Sequence, residues 1–307
     1  MKNNLAQKTV LYTILLLISF SCKEEVVIDL ESGDRMIGIY GSITTEKKKH
    51  AVTISRSMDF YLSGEPEMVS NAVVSLFDGT NTIEFAENPQ QRGVYETIEE
   101  FAGEVGVTYK LSVDITEKNG SKKHFSAENT IRPIPEQIDS AKILPVYTFT
   151  GKERENRLKI CPYFQSIADR DMNYLIKIAI NDALIADTIT RYPIMRMAEL
   201  SGLYFNGPEM KLIFNDLNFP IGVYNLNTEK PDENIQTSDK VTIFMYSIDN
   251  EYRRFIQDIR NSSGSNPMWG TPTNVRSNIE PAGKALGFFY TASVIEYSFV
   301  YDGESEP

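Results

Sequence analysis

The feature that most constrains the fold of this chain is a set of short segments in which apolar and polar residues alternate. In residues 108–115 every odd-numbered residue is apolar and every even-numbered residue is polar. A period of two residues places the apolar side chains on one face of a β-strand, where they can be buried. About seven such segments lie between residues 36 and 132, and this density is typical of a β-sandwich. We therefore predict mainly β structure from residue 36 onward.

Two polar segments predict the turns of β-hairpins. Residues 46–50 separate the first two strands, and residues 117–120 separate the last two strands of the N-terminal half. In the second segment Asn119 precedes Gly120, a pair that suits the positive φ angles of a type I′ turn. The predicted strands are residues 36–45, 51–57, 72–77, 82–86, 93–97, 108–115 and 123–127.

Pro133 and Pro135 predict a stiff, extended boundary between two domains. Beyond them, residues 173–180 alternate as a strand does, and residues 241–248 are apolar on both faces. The second pattern predicts a strand that is covered on both sides. Pro162 interrupts an apolar run and predicts an edge strand or a bulge. The last predicted strands are residues 286–292 and 294–301.

One amphipathic helix is predicted in the C-terminal half, over about residues 249–262. Asp249 or Asn250 can cap its first turn, and Gly264 can end it. Its apolar residues have the spacing i, i+3, i+4, i+7, which predicts a face packed on the core. These residues are Tyr252, Phe255, Ile256 and Ile259.

The N-terminal segment predicts export and lipidation. Lys2 and Lys8 are followed by an apolar run at residues 10–20, and small residues flank the bulky position before Cys22. This is the pattern of a secretory signal whose cleavage site holds a cysteine, where a bacterial lipoprotein is cut and acylated. Two alternatives stay open. Ordinary signal peptidase would leave Cys22 as a free thiol, and a transmembrane anchor would need about 20 apolar residues, more than the run contains.

The residues after Cys22 predict the final location. Lys23, Glu24 and Glu25 resemble the lysine-plus-two-acids signal that sends Bacteroidota lipoproteins to the outer face of the outer membrane. We therefore expect a lipid-anchored protein that faces the cell exterior, connected to its anchor by an acidic tether at residues 22–35.

The composition argues against several kinds of partner. The formal net charge of −11 argues against nucleic acid, which needs a basic surface, and against electrostatic docking on anionic lipid. If Cys22 is acylated, Cys161 has no partner for a disulfide bond. The apolar neighbours of Cys161 predict a small buried side chain.

No catalytic residue, metal ligand or cofactor site is predicted. His50 and His124 lie beside lysines near the predicted hairpin ends, and we interpret both as solvated loop residues. Residues 169–173 begin like a calcium-binding loop, but Tyr174 and Ile180 occupy the positions that need Gly and Glu. The paired acids are interpreted as solvated surface, and a calcium site built from scattered acids stays open.

Three aromatic residues are candidates for contact with a ligand or partner. Tyr204 and Phe205 lie in residues 191–236, which have no clear period and form either a binding loop or a set of short strands. Trp269 is the single tryptophan. It either contacts a partner, as aromatic residues often do at interfaces, or pins a loop to the C-terminal domain.

Seven segments of the chain together carry a resemblance to a known family. They are residues 39–44, 52–57, 69–74, 101–109, 266–269, 277–279 and 285–289. These segments resemble the family of domain of unknown function 4249, whose members are Bacteroidota lipoproteins often encoded beside TonB-dependent outer-membrane receptors. The resemblance implies the location, the architecture and a transporter neighbour, and it brings no catalytic residues. The N-terminal half is also similar to transthyretin-like and carboxypeptidase-regulatory sandwiches.

The expected protein is non-enzymatic and has two β-sandwich-like domains, the second with the single helix. Its leading function is that of an accessory or ligand-capture subunit of a TonB-dependent transporter. The alternatives are a structural or adhesive envelope lipoprotein and a surface-polymer hydrolase, which would need a cleft of convergent acids. The expected segments are a signal peptide (1–21), a tether (22–35), an N-terminal β-sandwich (36–132), a C-terminal β-rich domain (137–302) and a tail (303–307).

Overall fold

The described residues of the N-terminal half form seven strands, and all seven were expected from the sequence. A computed structural model of the chain describes residues 36–57, 66–150, 153–164, 167, 171–185, 188–189, 191–196, 235, 237–263 and 275–303. The seven strands are β1 (Ile37–Thr44), β2 (Ala51–Arg56), β3 (Val73–Phe77), β4 (Thr82–Glu87), β5 (Val94–Thr97), β6 (Thr108–Thr116) and β7 (Lys122–Thr130).

These strands surround one hydrophobic cluster. They pair side by side in the order β1-β2-β5-β4-β3-β6-β7, and every pair is antiparallel. Tyr109, Leu111, Val113 and Ile115 of β6 all lie in the cluster, so the burial of one face of this strand is confirmed. Full burial of an aliphatic or aromatic side chain contributes about 1.5–3 kcal/mol, which makes this face the main source of stability for the strand.

The turn between β6 and β7 differs from the predicted type I′ geometry. Gly120 has a φ of 82°, but Asn119 does not share a positive φ. The Gly120 amide donates to the Glu117 carbonyl at 2.8 Å, and the Glu117 amide donates to the Ser121 carbonyl at 2.8 Å. The loop therefore contains three residues and ends in a glycine with left-handed backbone geometry. A loop of this kind needs a positive φ at one residue, whereas a type I′ turn needs it at two.

Among the described residues, the C-terminal half adds seven strands and one helix. They are β8 (Ser140–Thr150), β9 (Glu153–Tyr163), β10 (Asn173–Ile180), β11 (Ala183–Leu184), β12 (Ile194–Arg196), β13 (Lys240–Ile248), α1 (Asn250–Ser263) and β14 (Ala285–Val300). Within the described part of the chain, β8 and β9 pair only with each other. Pro162 therefore lies in an edge strand, as its missing amide proton requires.

The chain ends in one long strand, so the prediction of two final strands is wrong. β14 pairs with β1 in parallel through its first half, up to Ala292, and with β13 in antiparallel fashion from Ser293 onward. Ser293 interrupts the apolar pattern without interrupting the strand. Its hydroxyl donates a hydrogen bond to the carbonyl of Arg132, which compensates for the burial of a polar side chain.

The predictions for β13 and α1 are confirmed. β13 lies between β10 and β14, and both of its faces are buried. The Asp249 carboxylate caps α1 by accepting a hydrogen bond from the Tyr252 amide at 2.6 Å. Tyr252, Phe255 and Ile256 are buried against the sheet, because the helix turns this stripe toward the core. Gly264 lies outside the described residues.

The described fold is mainly β, with a single helix. Residues of β14 belong to all three hydrophobic clusters or pack against them, so this strand joins the two halves of the sheet. The division into two domains at residues 133–136 and the likeness to transthyretin-like sandwiches stay predictions. No helix within the described ranges is long and apolar enough to cross a membrane.

Asn129 links the two halves of the chain, and its replacement by alanine is expected to lower the free energy of unfolding by about 2–3 kcal/mol. Its amide nitrogen donates to the Asp249 carboxylate at 2.5 Å, and its oxygen accepts from the Thr291 hydroxyl at 3.0 Å. The substitution leaves both partners without this bond. Urea denaturation measures the loss, with Asn261→Ala on the exposed side of α1 as the control. A loss below about 0.5 kcal/mol, the range of surface substitutions, would contradict the linking role.

Candidate functional site

The outer face of β1 and β14, opposite the N-terminal hydrophobic cluster, is rich in aromatic residues. The parallel pairing aligns Tyr40 of β1 with Phe288 of β14, and Ser42 with Tyr290. Aligned residues of neighbouring strands point to the same face of a sheet. α1 packs on this face and adds Tyr252 from its first turn.

We call Tyr40, Tyr252 and Tyr290 the tyrosine cluster. The rings of Tyr252 and Tyr290 stack with centroids 3.9 Å apart and an interplanar angle of 7°. The hydroxyls of Tyr40 and Tyr252 are 2.6 Å apart and share a hydrogen bond. Phe288 and Phe255 pack against Tyr252 at centroid distances of 5.3 and 6.0 Å. The cluster therefore holds β1, β14 and α1 together at one point.

Burial keeps the three phenols neutral. Tyr252 is 1% exposed, and desolvation, followed by the neighbouring phenols, holds its pKa well above the ordinary value. Desolvation also raises the pKa of Tyr40 and that of Tyr290, although a hydrogen bond with Ser42 partly offsets the second shift. Because the ordinary pKa of a phenol is already about 10, the cluster holds no phenolate at neutral pH.

Neutral phenols and stacked rings offer hydrogen bonds and flat apolar area, which suit binding better than catalysis. A general base needs a pKa near the working pH, and these shifts move the phenols away from it. Tyr40 is the accessible member, since it is 38% exposed while its hydroxyl meets the buried Tyr252. Leu286, on the same face and paired with Gly38, is also 38% exposed. The ring of Tyr40 and the side chain of Leu286 form the accessible contact surface.

The site residues predicted from the sequence lie outside the described part of the chain. This holds for the predicted lipidation site Cys22, for the export signal Lys23, Glu24 and Glu25, and for the candidate contact residues Tyr204, Phe205 and Trp269. Their roles stay predictions. The described tyrosine cluster neither includes nor replaces them.

The sequence contains one signal for the tyrosine cluster that was missed. In β1 the inward residues are Ile37, Ile39 and Ile43, so Tyr40 is a large aromatic residue on the outward side. A strand whose outward side is exposed to water usually carries polar residues there. Tyr40 therefore indicates a second packing layer, which α1 supplies.

His50 lies in the loop before β2, as predicted, but it is buried, so its interpretation as a solvated residue is wrong. It is 1% exposed, because residues 97–103 pack over the tip of the first hairpin. His124 is exposed as predicted, and its Nδ1 lies 2.9 Å from Asp114. In the described ranges no group of three or more His, Cys, Asp or Glu side chains is placed to hold a metal ion.

The fold and the tyrosine cluster define a mainly β protein whose helix covers an aromatic sheet face. The family model named Domain of unknown function (DUF4249) matches residues 23–298. The chain therefore belongs to the DUF4249 family, as the resemblance of its segments predicted. Comparison with curated proteins found no match.

Proposed function

We propose that this protein is a lipoprotein on the outer face of the outer membrane, anchored through acyl chains at Cys22. There it works without catalysis as an accessory or ligand-capture subunit of a TonB-dependent transporter. The main support is a cysteine at the cleavage site of a secretory signal. Lys23, Glu24 and Glu25 support exposure at the surface, and the family resemblance supports a transporter neighbour.

The tyrosine cluster supports the binding part of the proposal. Tyrosine is enriched where proteins bind partners, because its ring supplies apolar area and its hydroxyl a hydrogen bond. Tyr40 supplies its ring for such a contact, while its hydroxyl is held by Tyr252. A rigid aromatic side chain loses little conformational entropy on binding, which favours affinity.

A pull-down of the native protein in mild detergent, analysed by mass spectrometry, tests the proposal. We expect the wild type to recover a TonB-dependent barrel. Cys22→Ala cannot be acylated, leaves the membrane and is expected to recover little of the barrel. If the wild type is lipidated and surface-exposed and still recovers no barrel, the transporter role is contradicted and a structural or adhesive role is favoured.

A second pair of variants in the same pull-down tests the aromatic surface. Tyr40→Ala is expected to reduce barrel recovery, because aromatic contacts often contribute more than about 1 kcal/mol at interfaces. Phe77→Ala is the matched control, since Phe77 is 40% exposed on β3, outside the tyrosine cluster. Equal recovery with both variants would remove Tyr40 from the partner surface.

A further inference from the structure

The tip of the first hairpin is fastened to residues 97–103 by a set of hydrogen bonds, and we call this contact the hairpin-tip interface. Lys48 and Phe101 exchange two backbone bonds, at 3.3 and 3.2 Å. The amide of Gly103 donates to the Thr44 carbonyl at 2.8 Å, which extends the interface along the hairpin.

His50 lies at the inner end of this interface. Its amide donates to the Thr97 hydroxyl at 3.1 Å, and its carbonyl accepts from the Thr97 amide at 2.9 Å. The imidazole packs against the Phe101 ring at a centroid distance of 4.6 Å. Both His50 and Thr97 are 1% exposed, so this end of the interface is buried in the protein interior.

The two ring nitrogens of His50 have different surroundings. Nε2 lies 3.0 Å from the Phe101 carbonyl oxygen, which can only accept, so Nε2 bears the proton and donates it. Nδ1 is buried and has no hydrogen-bond partner among the described residues. The neutral imidazole therefore fits the interface, whereas a protonated imidazole would bury an N–H without an acceptor.

We propose that His50 makes the hairpin-tip interface sensitive to acid, so that the tip separates from residues 97–103 as the pH falls. In the open state, with the tip separated from residues 97–103, the imidazole is solvated and its Nδ1 binds a proton from water. In the closed state, with the hairpin-tip interface intact, Nδ1 is buried and binds that proton poorly. This acid response goes beyond the proposed binding function.

The charges that face His50 do not compensate the buried proton. Desolvation is the main reason that its pKa lies below the ordinary value, and the hydrogen bond to Phe101 offsets only part of it. In the facing residues 97–103, Glu99 and Glu100 are exposed, and neither is among the charges that shift the pKa of His50. The nearby charges on the hairpin are Lys48, which lowers the pKa, and Glu46, which raises it. These two side chains form a 2.6 Å ion pair with each other, which weakens the net field of both.

The sign of the effect follows from the lowered pKa. An open or unfolded state has an ordinary histidine pKa of about 6.5 and takes up a proton below it, while the closed state does not. The equilibrium constant for opening therefore rises about tenfold for each pH unit below 6.5, until the lowered pKa of the closed state is reached. Stability from this group is present above pH 6.5 and decreases on acidification.

Hydrogen exchange of the full chain at pH 7.5 and 5.5, corrected for intrinsic exchange rates, tests the proposal. Protection of the interface amides is expected to fall in the wild type, by an amount whose upper limit is about tenfold, the change in protonation of an ordinary histidine over this pH range. In His50→Gln this fall is expected to vanish, whereas His124→Gln, an exposed histidine, is expected to behave as the wild type. The amides to follow are those of Lys48, His50, Thr97, Phe101 and Gly103.

Two results would overturn the proposal. One is wild-type protection that is equal at both pH values, and the other is a His50→Gln variant that keeps the wild-type pH response. If His50→Gln does not fold, NMR titration of the wild-type imidazole decides the question. A His50 that titrates at or above pH 6.5, or that is protonated on Nδ1 at pH 7.5, rejects the mechanism.

Discussion

Replacing Gly287 with alanine is expected to lower the free energy of unfolding by more than about 4 kcal/mol and to prevent stable folding. Gly287 lies inside β14 with a φ of 102°, a conformation that side chains rarely adopt. A Cβ atom at this position would overlap the Ile39 carbonyl oxygen and lie 2.7 Å from the carbonyl carbon. Ile39 cannot move aside easily, because β1 pairs with β14 on one side and β2 on the other.

Gly79→Ala is the matched control for this prediction. Gly79 has a φ of 98°, close to that of Gly287, but no atom lies within 4 Å of the position its Cβ would occupy. It therefore reports the conformational cost alone, which is about 1–2 kcal/mol. Chemical denaturation of the wild type and the two variants measures both losses. If the two variants lost equal free energy of unfolding, the close approach of β14 to β1 would not depend on the absence of a side chain at Gly287.

Local sequence was sufficient for the strands of the N-terminal half, because each packs one face on the hydrophobic cluster, even where that face is only partly buried as in β4. It was not sufficient for β14. The parallel pairing of β14 with β1 joins segments from opposite ends of the described chain, and no local pattern encodes such a partner. Ser293 resembles a strand end, but β14 continues because it pairs with β13 from this residue onward, and the carbonyl of Arg132 accepts the hydrogen bond of the buried hydroxyl.

The same limit applies to the candidate site. The helix stripe predicted that Tyr252 would be buried, and the outward position of Tyr40 indicated a covering layer. Their meeting with Tyr290 depends on the pairing of β1 with β14, which is a tertiary contact. His50 was misjudged for a similar reason. A lysine-rich hairpin tip is normally solvated, and here residues 97–103 cover it from a distant part of the sequence.

Replacing Tyr252 with alanine is expected to lower the free energy of unfolding by about 3–5 kcal/mol, the usual range for a buried aromatic residue. The side chain is 1% exposed, contacts the rings of Phe288 and Tyr290 in β14, and meets the Tyr40 hydroxyl of β1. Without it, the stacking with Tyr290 is lost and the first turn of α1 loses its contact with the sheet. Alanine is a good helix former, so the loss would come from packing and not from helix propensity.

Tyr252→Phe separates ring packing from hydrogen bonding within the tyrosine cluster. It keeps the stacked ring and removes only the hydroxyl that lies 2.6 Å from that of Tyr40. Because desolvation raises the pKa of Tyr40, its hydroxyl is shielded from bulk water and loses this partner, so the expected cost is about 1–2 kcal/mol. Urea denaturation followed by near-ultraviolet circular dichroism measures both variants. If phenylalanine costs as much as alanine, the hydroxyl pair and not the ring packing holds α1 on the sheet.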